Sequence, residues 1–436
     1  MRTVGLYTLG CKVSQYETEA IAEAFEARGF AVLPPTEICD AYVVNTCTVT
    51  AESDRKCRQT VRRVARLNPD AVIAVVGCYS QRKPEEALAI KGVSVVLGTA
   101  DKLTVVDRVI ERLDCKECGS YMSVRDVTAC EFEGMRITRA PRTRAYVKIE
   151  DGCESKCTYC AISAARGRVR SKAPEDVIAE VEGLASAGTA EVVLTGIETA
   201  AYGRDLTNGY GLAELICELD RRGSCRRLRL GSLAPELVGR DFAERVRGVG
   251  ILAPHFHLSM QSGSDSVLRR MKRRYNVAGA IENIERLREI FPRAQFTTDI
   301  MVGFPGETEE DFERTKELVR RVRFLDAHVF AFSPREGTPA ATYDGQIDES
   351  VKRRRSAELI SLKNEVRDDV LREICEMGEP MVAILESMED GVYTAHSDSF
   401  VELRVSAPDG KQGDMVTVVP VSSNDGVVNA VLAYEK

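Results

Sequence analysis

The chain has 436 residues, 14 cysteines, 4 histidines and a formal net charge of −7. That length exceeds what one compact core accommodates, so two or three domains are expected. No apolar run is long enough to span a bilayer and the first seven residues read as a strand rather than a signal peptide, which points to a soluble, cytoplasmic protein.

In such a chain the cysteines read as metal ligands and free thiols, not as a disulfide framework. Charge is unevenly spread: residues 376–436 carry −8 and residues 1–375 carry +1. The overall acidity is a weak argument against a nucleic-acid partner. Three basic clusters stand out in the middle: Arg166, Arg168, Arg170 and Lys172; Arg221, Arg222, Arg226, Arg227 and Arg229; and Arg269, Arg270, Lys272, Arg273 and Arg274. They read either as a phosphate-binding surface or as solvated helix faces.

The first hundred residues repeat one pattern, an apolar strand, a cysteine, then a helix. The strands are 4–10, 41–46 and 71–77, ending at Cys11, Cys47 and Cys78; the helices are 17–28, 52–67 and 84–90. A fourth strand is expected at 93–98. Continuous apolar strands alternating with helices indicate an open parallel sheet covered on both faces. Function in such sheets collects at the carboxyl ends of the strands. If the strands are neighbours, three thiols converge on one crevice; the other reading is three buried small apolar residues. Cys39 and Cys57 read as helix or loop thiols. Cys115-x2-Cys118, with Cys130 beyond, could be a small zinc site or incidental or redox-active thiols. Residues 115–140 have no helical period and read as a linker.

Strand and helix alternation resumes at 145–149, and the strand runs into Cys153-Glu154-Ser155-Lys156-Cys157-Thr158-Tyr159-Cys160. Zinc sites usually take four ligands. Three thiolates on a short loop suit a four-iron, four-sulfur cluster with one iron left open; a zinc clip or three unrelated thiols is the other reading. Further strands at 191–196, 228–232, 255–259, 296–302 and 327–332, with helices such as 174–187 and 309–323, suggest a partial (β/α)6 barrel with its site at the strand carboxyl ends. His255 and His257 are read as facing opposite sides of their strand, one in the core and one lining the barrel, with no ligand role. A long helix, 348–376, leads to strand-like runs at 381–385, 401–405 and 415–419, with 391–394 read as a turn-like break. These runs suit a small β-barrel.

The C-x3-C-x2-C loop resembles the radical S-adenosylmethionine (SAM) superfamily. The segments Leu9-Gly10-Cys11-Lys12-Val13, Asn45-Thr46-Cys47-Thr48-Val49-Thr50 and Gly77-Cys78-Tyr79-Ser80-Gln81 look like the N-terminal domain of the methylthiotransferases. The Asn-Thr-Cys-Thr-Val-Thr run looks most like the branch acting on N6-threonylcarbamoyladenosine in tRNA. The resemblance implies the following layout: a methylthiotransferase N-terminal domain over 1–114, the linker over 115–140, a radical SAM domain over 141–370 and a TRAM-like β-barrel over 375–436. It implies two four-iron clusters, on Cys11, Cys47 and Cys78 and on Cys153, Cys157 and Cys160. SAM would be contacted by Gly196, Glu198, Ser232, Gln261, Ser262, Asp299 and Gly303. The implied reaction puts a methylthio group on carbon 2 of the modified adenosine at position 37. The implied partners are a tRNA anticodon stem-loop and a low-potential electron donor of the flavodoxin or ferredoxin type.

The chain departs from the family pattern at four places. Ser14 replaces a frequent asparagine, and Ala161-Ile162-Ser163-Ala164-Ala165 lacks the usual proline and aromatic before Arg166-Gly167. Glu198 stands where relatives often have histidine, and the C-terminal barrel has few cations for RNA. Related substrates, isopentenyladenosine in tRNA or a ribosomal-protein aspartate, are the alternatives within the family. A non-catalytic iron–sulfur or zinc RNA-binding protein is the alternative outside it.

Overall fold

The computed structural model describes residues 1–115, 119–140, 143–207 and 209–433. It is a mixed α/β structure in three parts. The N-terminal part holds strands β1 (Thr3–Thr8), β2 (Ala31–Leu33), β3 (Ala41–Thr46), β4 (Val72–Gly77), β5 (Val93–Leu97) and β6 (Tyr121–Ser123). Its helices are α1 (Lys12–Ala27), α2 (Ala51–Leu67), α3 (Cys78–Arg82), α4 (Pro84–Leu88) and α5 (Val105–Asp114). The strands pair in parallel in the order β2-β1-β3-β4-β5-β6. Every residue of β3 and β4 is buried, because successive side chains enter opposite apolar layers. Val43 joins Ile21, Phe25 and Val109 on one face, while Tyr42 and Val44 join Val61 and Val64 on the other. The sequence pattern missed β2, β6 and α5, and β6 lies inside the stretch read as irregular. β2 and β6 have three residues each and sit at the sheet edges, too short to show a period.

The central part contains β7 (Arg144–Lys148), β8 (Glu150–Asp151), β9 (Arg170–Ser171), β10 (Glu191–Thr195), β11 (Leu228–Leu230), β12 (Ser232–Leu233), β13 (His255–Gln261), β14 (Gln295–Val302) and β15 (Asp326–Ala331). Helices α6 (Ile162–Arg166), α7 (Pro174–Ser186), α8 (Leu212–Arg222), α9 (Arg240–Arg245), α10 (Asp265–Arg270), α11 (Val277–Ile290), α12 (Glu309–Val322) and α13 (Glu349–Met377) complete it. Two parallel sheets, β11-β10-β7 and β12-β13-β14-β15, form the wall. The run read as one strand at 228–232 passes from one sheet to the other at Gly231, where a Cβ would lie 3.0 Å from Thr199 Oγ1 and 3.1 Å from the Leu194 carbonyl. Six strand positions therefore make an open barrel. Phe256, Leu258 and Met260 pack outward with Ile284 and Leu287 of α11. His255, His257, Ser259 and Gln261 alternate with them and face inward.

α1 joins the two parts: Tyr16 and Ala20 belong to the central core, and the Tyr16 hydroxyl donates to the Met135 carbonyl at 2.6 Å. The C-terminal part is a closed barrel, β16 (Met381–Glu389), β17 (Val392–Ser397), β18 (Glu402–Ser406), β20 (Val427–Leu432) and β19 (Met415–Asn424) in spatial order. The expected break at 391–394 is a correction: only Asp390 and Gly391 turn, both at positive φ, and Val392 already opens β17. Asp425 and Gly426 do the same between β19 and β20. Two positive φ values in a two-residue loop are the hairpin geometry that Asp-Gly favours. Arg229 donates to the Asp398 carbonyl at 3.0 Å, and Phe400 stacks on His255 with centroids 4.5 Å apart. The small barrel thus covers the amino ends of the central strands and leaves their carboxyl ends free. Among the described residues, no helix is long and apolar enough to cross a membrane.

Two of the three basic clusters are split between surface and interior: Arg168, Arg221, Arg222 and Arg226 are exposed. Arg166, Arg170, Lys172, Arg227 and Arg229 are all buried, and each is ion-paired.

Candidate active site

Cys11, Cys47 and Cys78 follow β1, β3 and β4, which are adjacent in the sheet. The strand-end rule therefore brings them to one edge. Gly77 makes the turn into Cys78 at φ +104, where a Cβ would lie 2.7 Å from both Asn45 Oδ1 and the Thr46 carbonyl. Burial, with the nearby Cys78 and Cys11 thiols, pushes Cys47 up to about 11. Burial also raises Cys78, opposed by the charge of Arg166. Ser14 Oγ lies 3.8 Å from Cys11 Sγ, beside the thiol as its position suggested. Cys57 lies behind the site, its thiol donating to the Cys47 carbonyl at 3.3 Å, and Cys39 is buried in the same apolar layer. Cys130 donates to the Asp126 carbonyl at 3.2 Å. Cys118 falls outside the described residues.

The second set lies on the loop after β8. Gly152 has φ +91, and a Cβ there would fall 1.8 Å from the Arg168 carbonyl oxygen. The Cys153 amide donates to the Gly167 carbonyl at 3.0 Å, and the Cys160 amide to the Cys157 carbonyl at 3.1 Å. Thr158 fastens the loop to α10 through the Met271 and Arg270 carbonyls. Arg273 Nη1 reaches Cys157 Sγ at 3.4 Å, and the Ile162 amide reaches Cys160 Sγ at 3.4 Å. Burial pushes Cys160 up to about 12, and the neighbouring Cys157 and Cys153 thiols add to this. Thiolates there need a bound cation to be favoured.

Within each set the thiols feel one another's charge. Yet among the described residues no three of His, Cys, Asp and Glu form a group that would hold a metal ion. A cluster whose ligands sit on separate irons asks for a wider spread than one zinc at about 2.3 Å from each sulfur.

Around the barrel mouth the expected contacts separate. Glu198 accepts from the Ala234 amide at 3.0 Å, and burial raises its pKa to about 7. Its amide donates to Glu150 Oε2 at 2.9 Å. Gly196 makes room for that carboxyl, since a Cβ would lie 2.5 Å from Glu150 Oε2. Gln261 sits at φ +61 with its Oε1 buried, and both it and Glu150 Oε1 have no hydrogen-bond partner among the described residues. Two orphaned polar atoms beside the cysteine loop fit a polar cofactor there. Ser232 pairs with His257 across β12 and β13. Ser262 is fully buried; its hydroxyl accepts from the Ser264 amide and lies 3.4 Å from Thr315, so it serves the turn. Gly303, at φ +71, lies against Lys352 and donates to Glu307 Oε2 at 2.6 Å.

Asp299 lies deeper, bonded to His257 Nε2 at 3.1 Å and His328 Nδ1 at 3.3 Å. Burial opposes its charge, but the two histidines hold it well below the usual carboxylate range. His255 Nε2 and His257 Nδ1 both meet Thr297 Oγ1, at 3.0 and 2.9 Å. The opposite-face reading of this pair is therefore wrong: residues two apart on a strand share a face.

Sequence reasoning missed the network between the two cysteine sets. Glu17 of α1 pairs with Lys102, with Lys148 at 2.9 Å and with Arg166 at 2.6 Å. Asp151 pairs with Lys148 at 2.6 Å, Arg166 at 3.1 Å and Arg170 at 3.6 Å. All six side chains are buried. Burial works against Glu17's charge, but Arg166, Lys102 and Lys148 hold its pKa well below normal. Four cations thus face two carboxylates, and Arg166 Nε points at Cys78 Sγ from 3.3 Å. A buried cation excess is expensive without a counter-charge. A four-iron cluster on three thiolates is anionic and fits that place.

Residues 147–319 match the sequence model of the Radical SAM superfamily, and residues 3–98 that of an uncharacterized protein family, UPF0004. The chain is 38% identical over 427 residues to the threonylcarbamoyladenosine tRNA methylthiotransferase MtaB of Bacillus subtilis, covering 96% of this chain and 93% of that protein. It is 40% identical over 373 residues to the MtaB of Thermotoga maritima, covering 85% and 83%. It is 35% identical over 368 residues to the tRNA-2-methylthio-N(6)-dimethylallyladenosine synthase of Carboxydothermus hydrogenoformans, covering 82% of each. Its fold is similar to that of the radical SAM methyltransferase TsrM from Kitasatospora setae, with a TM-score of 0.56 at 16% identity over 78% of this chain and 77% of that one. These sequence relatives show that the chain belongs to the radical SAM methylthiotransferase family.

Proposed function

We propose that the enzyme puts a methylthio group on carbon 2 of N6-threonylcarbamoyladenosine at position 37 of tRNA, using SAM and two four-iron, four-sulfur clusters. The observation that carries this reading is the pair of three-cysteine sets at free strand ends, joined by a single side chain, Arg166. Cys153, Cys157 and Cys160 would hold the SAM-binding cluster; Cys11, Cys47 and Cys78 would hold the auxiliary one. When bound, the clusters and SAM supply the radical and the sulfur transfer.

The chain's own residues position and enclose. Glu198 and Gln261 offer polar atoms beside the cysteine loop, Glu198 with a carboxyl that titrates near neutrality. Arg273 holds Cys157 and, through its other nitrogen, the Ser259 carbonyl at 3.0 Å, tying the loop to β13. The small C-terminal barrel closes the far end of the cavity.

Lys12 supports a threonylcarbamoyl substrate over an isopentenyl one. It directly follows Cys11, is exposed to solvent, and is close enough to Arg229, Arg144, Glu191 and Asp299 to feel their charges, so it faces the charged lining of the barrel. Arg144 and Arg229 are paired with Glu191, whereas Lys12 has no ion pair among the described residues. The threonyl group carries a carboxylate for it to meet, and the isopentenyl group has no charge. The test is mass spectrometry of nucleosides from a deletion strain. Loss of the methylthio form of threonylcarbamoyladenosine is expected, and loss of the methylthio isopentenyl form instead would reassign the substrate.

A further inference from the structure

The C-terminal barrel is acidic, and five of the nine cations in the first two central basic clusters are buried and ion-paired, which raises the question of where else an RNA would be held. The α2 helix answers this. Its seventeen residues contain six Lys and Arg against two Asp and Glu, a net of +4 in a chain of net −7. Cys57, Thr60, Val61 and Val64 turn toward the sheet, which fixes the opposite face as the exposed one. Lys56, Gln59, Arg62, Arg63 and Arg66 are all exposed there. Some cations on α2 are already engaged: Arg55 pairs with Glu52, and Arg63 lies over the Tyr7 ring at 5.0 Å. Lys56, Arg62 and Arg66 make no hydrogen bond or ion pair among the described residues. An unpaired, solvated cation is ready to exchange its counterion environment for a phosphate.

Position matters as much as charge. The helix starts four residues after Cys47, capped by the Thr50 hydroxyl, which accepts from the Ser53 amide at 3.1 Å. Along its exposed side runs a groove of about 580 Å³ that begins at Leu9, two residues before Cys11. The cationic row therefore leads away from the auxiliary cysteines. From Lys56 to Arg66 it spans about 15 Å at 1.5 Å per residue, roughly four nucleotide steps at the duplex rise of 3.4 Å. A linear row of cations suits a linear run of phosphates. An acidic electron carrier would instead need to approach the Cys153–Cys160 loop, which other elements present.

We propose that the exposed face of α2, through Lys56, Arg62 and Arg66, holds the phosphate backbone of the RNA whose target nucleoside enters between the two cysteine sets. This rests on the tRNA reading above. The three side chains lie outside both the apolar layer and the proposed cluster sites, so their replacement leaves the fold and the basal cleavage of SAM intact.

The experiment is a fluorescence-anisotropy titration of the reconstituted full chain with a synthetic anticodon stem-loop at several salt concentrations. It compares the unaltered chain with the Lys56→Gln/Arg62→Gln/Arg66→Gln variant. The expected result is at least a tenfold loss of affinity at physiological salt. The slope of log K against log salt should also shrink by about 0.7–0.9 per lost contact. Affinity and slope equal to those of the unaltered chain would overturn the assignment. So would a variant that binds RNA normally but is no longer reduced by an acidic flavodoxin-type protein, which would assign the face to the carrier. An unaltered chain that binds no stem-loop at all would instead remove the tRNA reading, and this proposal with it.

Discussion

Arg166 and Cys78 meet at 3.3 Å, guanidinium Nε to thiol sulfur, although 88 residues separate them in the chain. Arg166 closes the short helix that follows the Cys153–Cys160 loop, and Cys78 opens the helix after β4. One fully buried side chain thus spans from the backbone of one cysteine set to a thiol of the other, with Glu17 and Asp151 fixing its orientation. Arg166 links the segments that carry the two proposed cluster sites.

Replacing Arg166 by glutamine removes the guanidinium that bonds Glu17, Asp151 and the Cys78 sulfur together in a dry interior. Breaking one partner of a buried pair costs about 3–5 kcal/mol, so a fall in thermal stability is expected. Iron retained by a variant lacking Cys153, Cys157 and Cys160 should fall as well. Arg166→Lys keeps the charge but cannot reach Cys78 and Glu17 together, because only a guanidinium has the rigid fork. It should recover stability better than iron retention. Equal iron in all three proteins would show that Arg166 plays no part in the site.

Lys12→Gln removes the cation assigned to the substrate carboxylate. A hydrogen bond to a charged group contributes about 1.5–3 kcal/mol, which corresponds to a loss of roughly 10- to 150-fold in kcat/KM. The comparison is between stem-loops bearing and lacking the threonylcarbamoyl group. The unaltered enzyme should discriminate between them and the variant much less; undiminished discrimination would place the carboxylate elsewhere.

The pair formed by Asp299 and His328 sets a pH dependence. The hydrogen bond to Asp299 raises the pKa of His328 above its ordinary value. A raised histidine contributes stability that is present below its unfolded pKa and lost as pH rises through the folded one. Asp299 is depressed, so its own contribution is present above the unfolded carboxylate pKa and lost as pH falls through the folded value. In Asp299→Asn both segments should vanish. An NMR titration should then show His328 moving back down toward an unperturbed imidazole, and a His328 titration identical in both proteins would contradict the pairing.

Gly152→Ala puts a methyl group 1.8 Å from the Arg168 carbonyl at a φ of +91. The backbone must move, and the Cys153 amide bond to Gly167 moves with it. A loss of more than about 2 kcal/mol is expected from strain of this kind. Loss of SAM cleavage should accompany it, while the N-terminal cysteines keep their iron. Normal SAM cleavage by this variant would show that the loop tolerates another path.

Much of this arrangement was legible in the chain because cysteines at the ends of apolar strands and on an eight-residue loop are local patterns. Cys11, Cys47 and Cys78 needed only the rule that parallel strands present their carboxyl ends together. What stayed hidden is non-local or was misread. Nothing near Glu17 announces that Arg166, 149 residues away, neutralises it. The basic clusters at 166–172 and 221–229 have the composition of a surface, yet their inward members pair with Glu17, Asp151, Glu180 and Glu191. Asp390-Gly391 and Asp425-Gly426 are hairpin signals present in the sequence. They mark the starts of β17 and β20. His255 and His257 needed only the two-residue period of a strand, applied with the correct sign. Ser262 has the residue type of a ligand contact, but its hydroxyl is used by a turn that only the tertiary structure reveals.

The most direct test of the account is iron and acid-labile sulfide per chain after anaerobic reconstitution. It compares the unaltered protein with the Cys153→Ala/Cys157→Ala/Cys160→Ala variant. Two four-iron clusters predict about eight irons falling to about four. About four falling to none would leave Cys11, Cys47 and Cys78 without a cluster, and would contradict the claim that the two cysteine sets work as a pair.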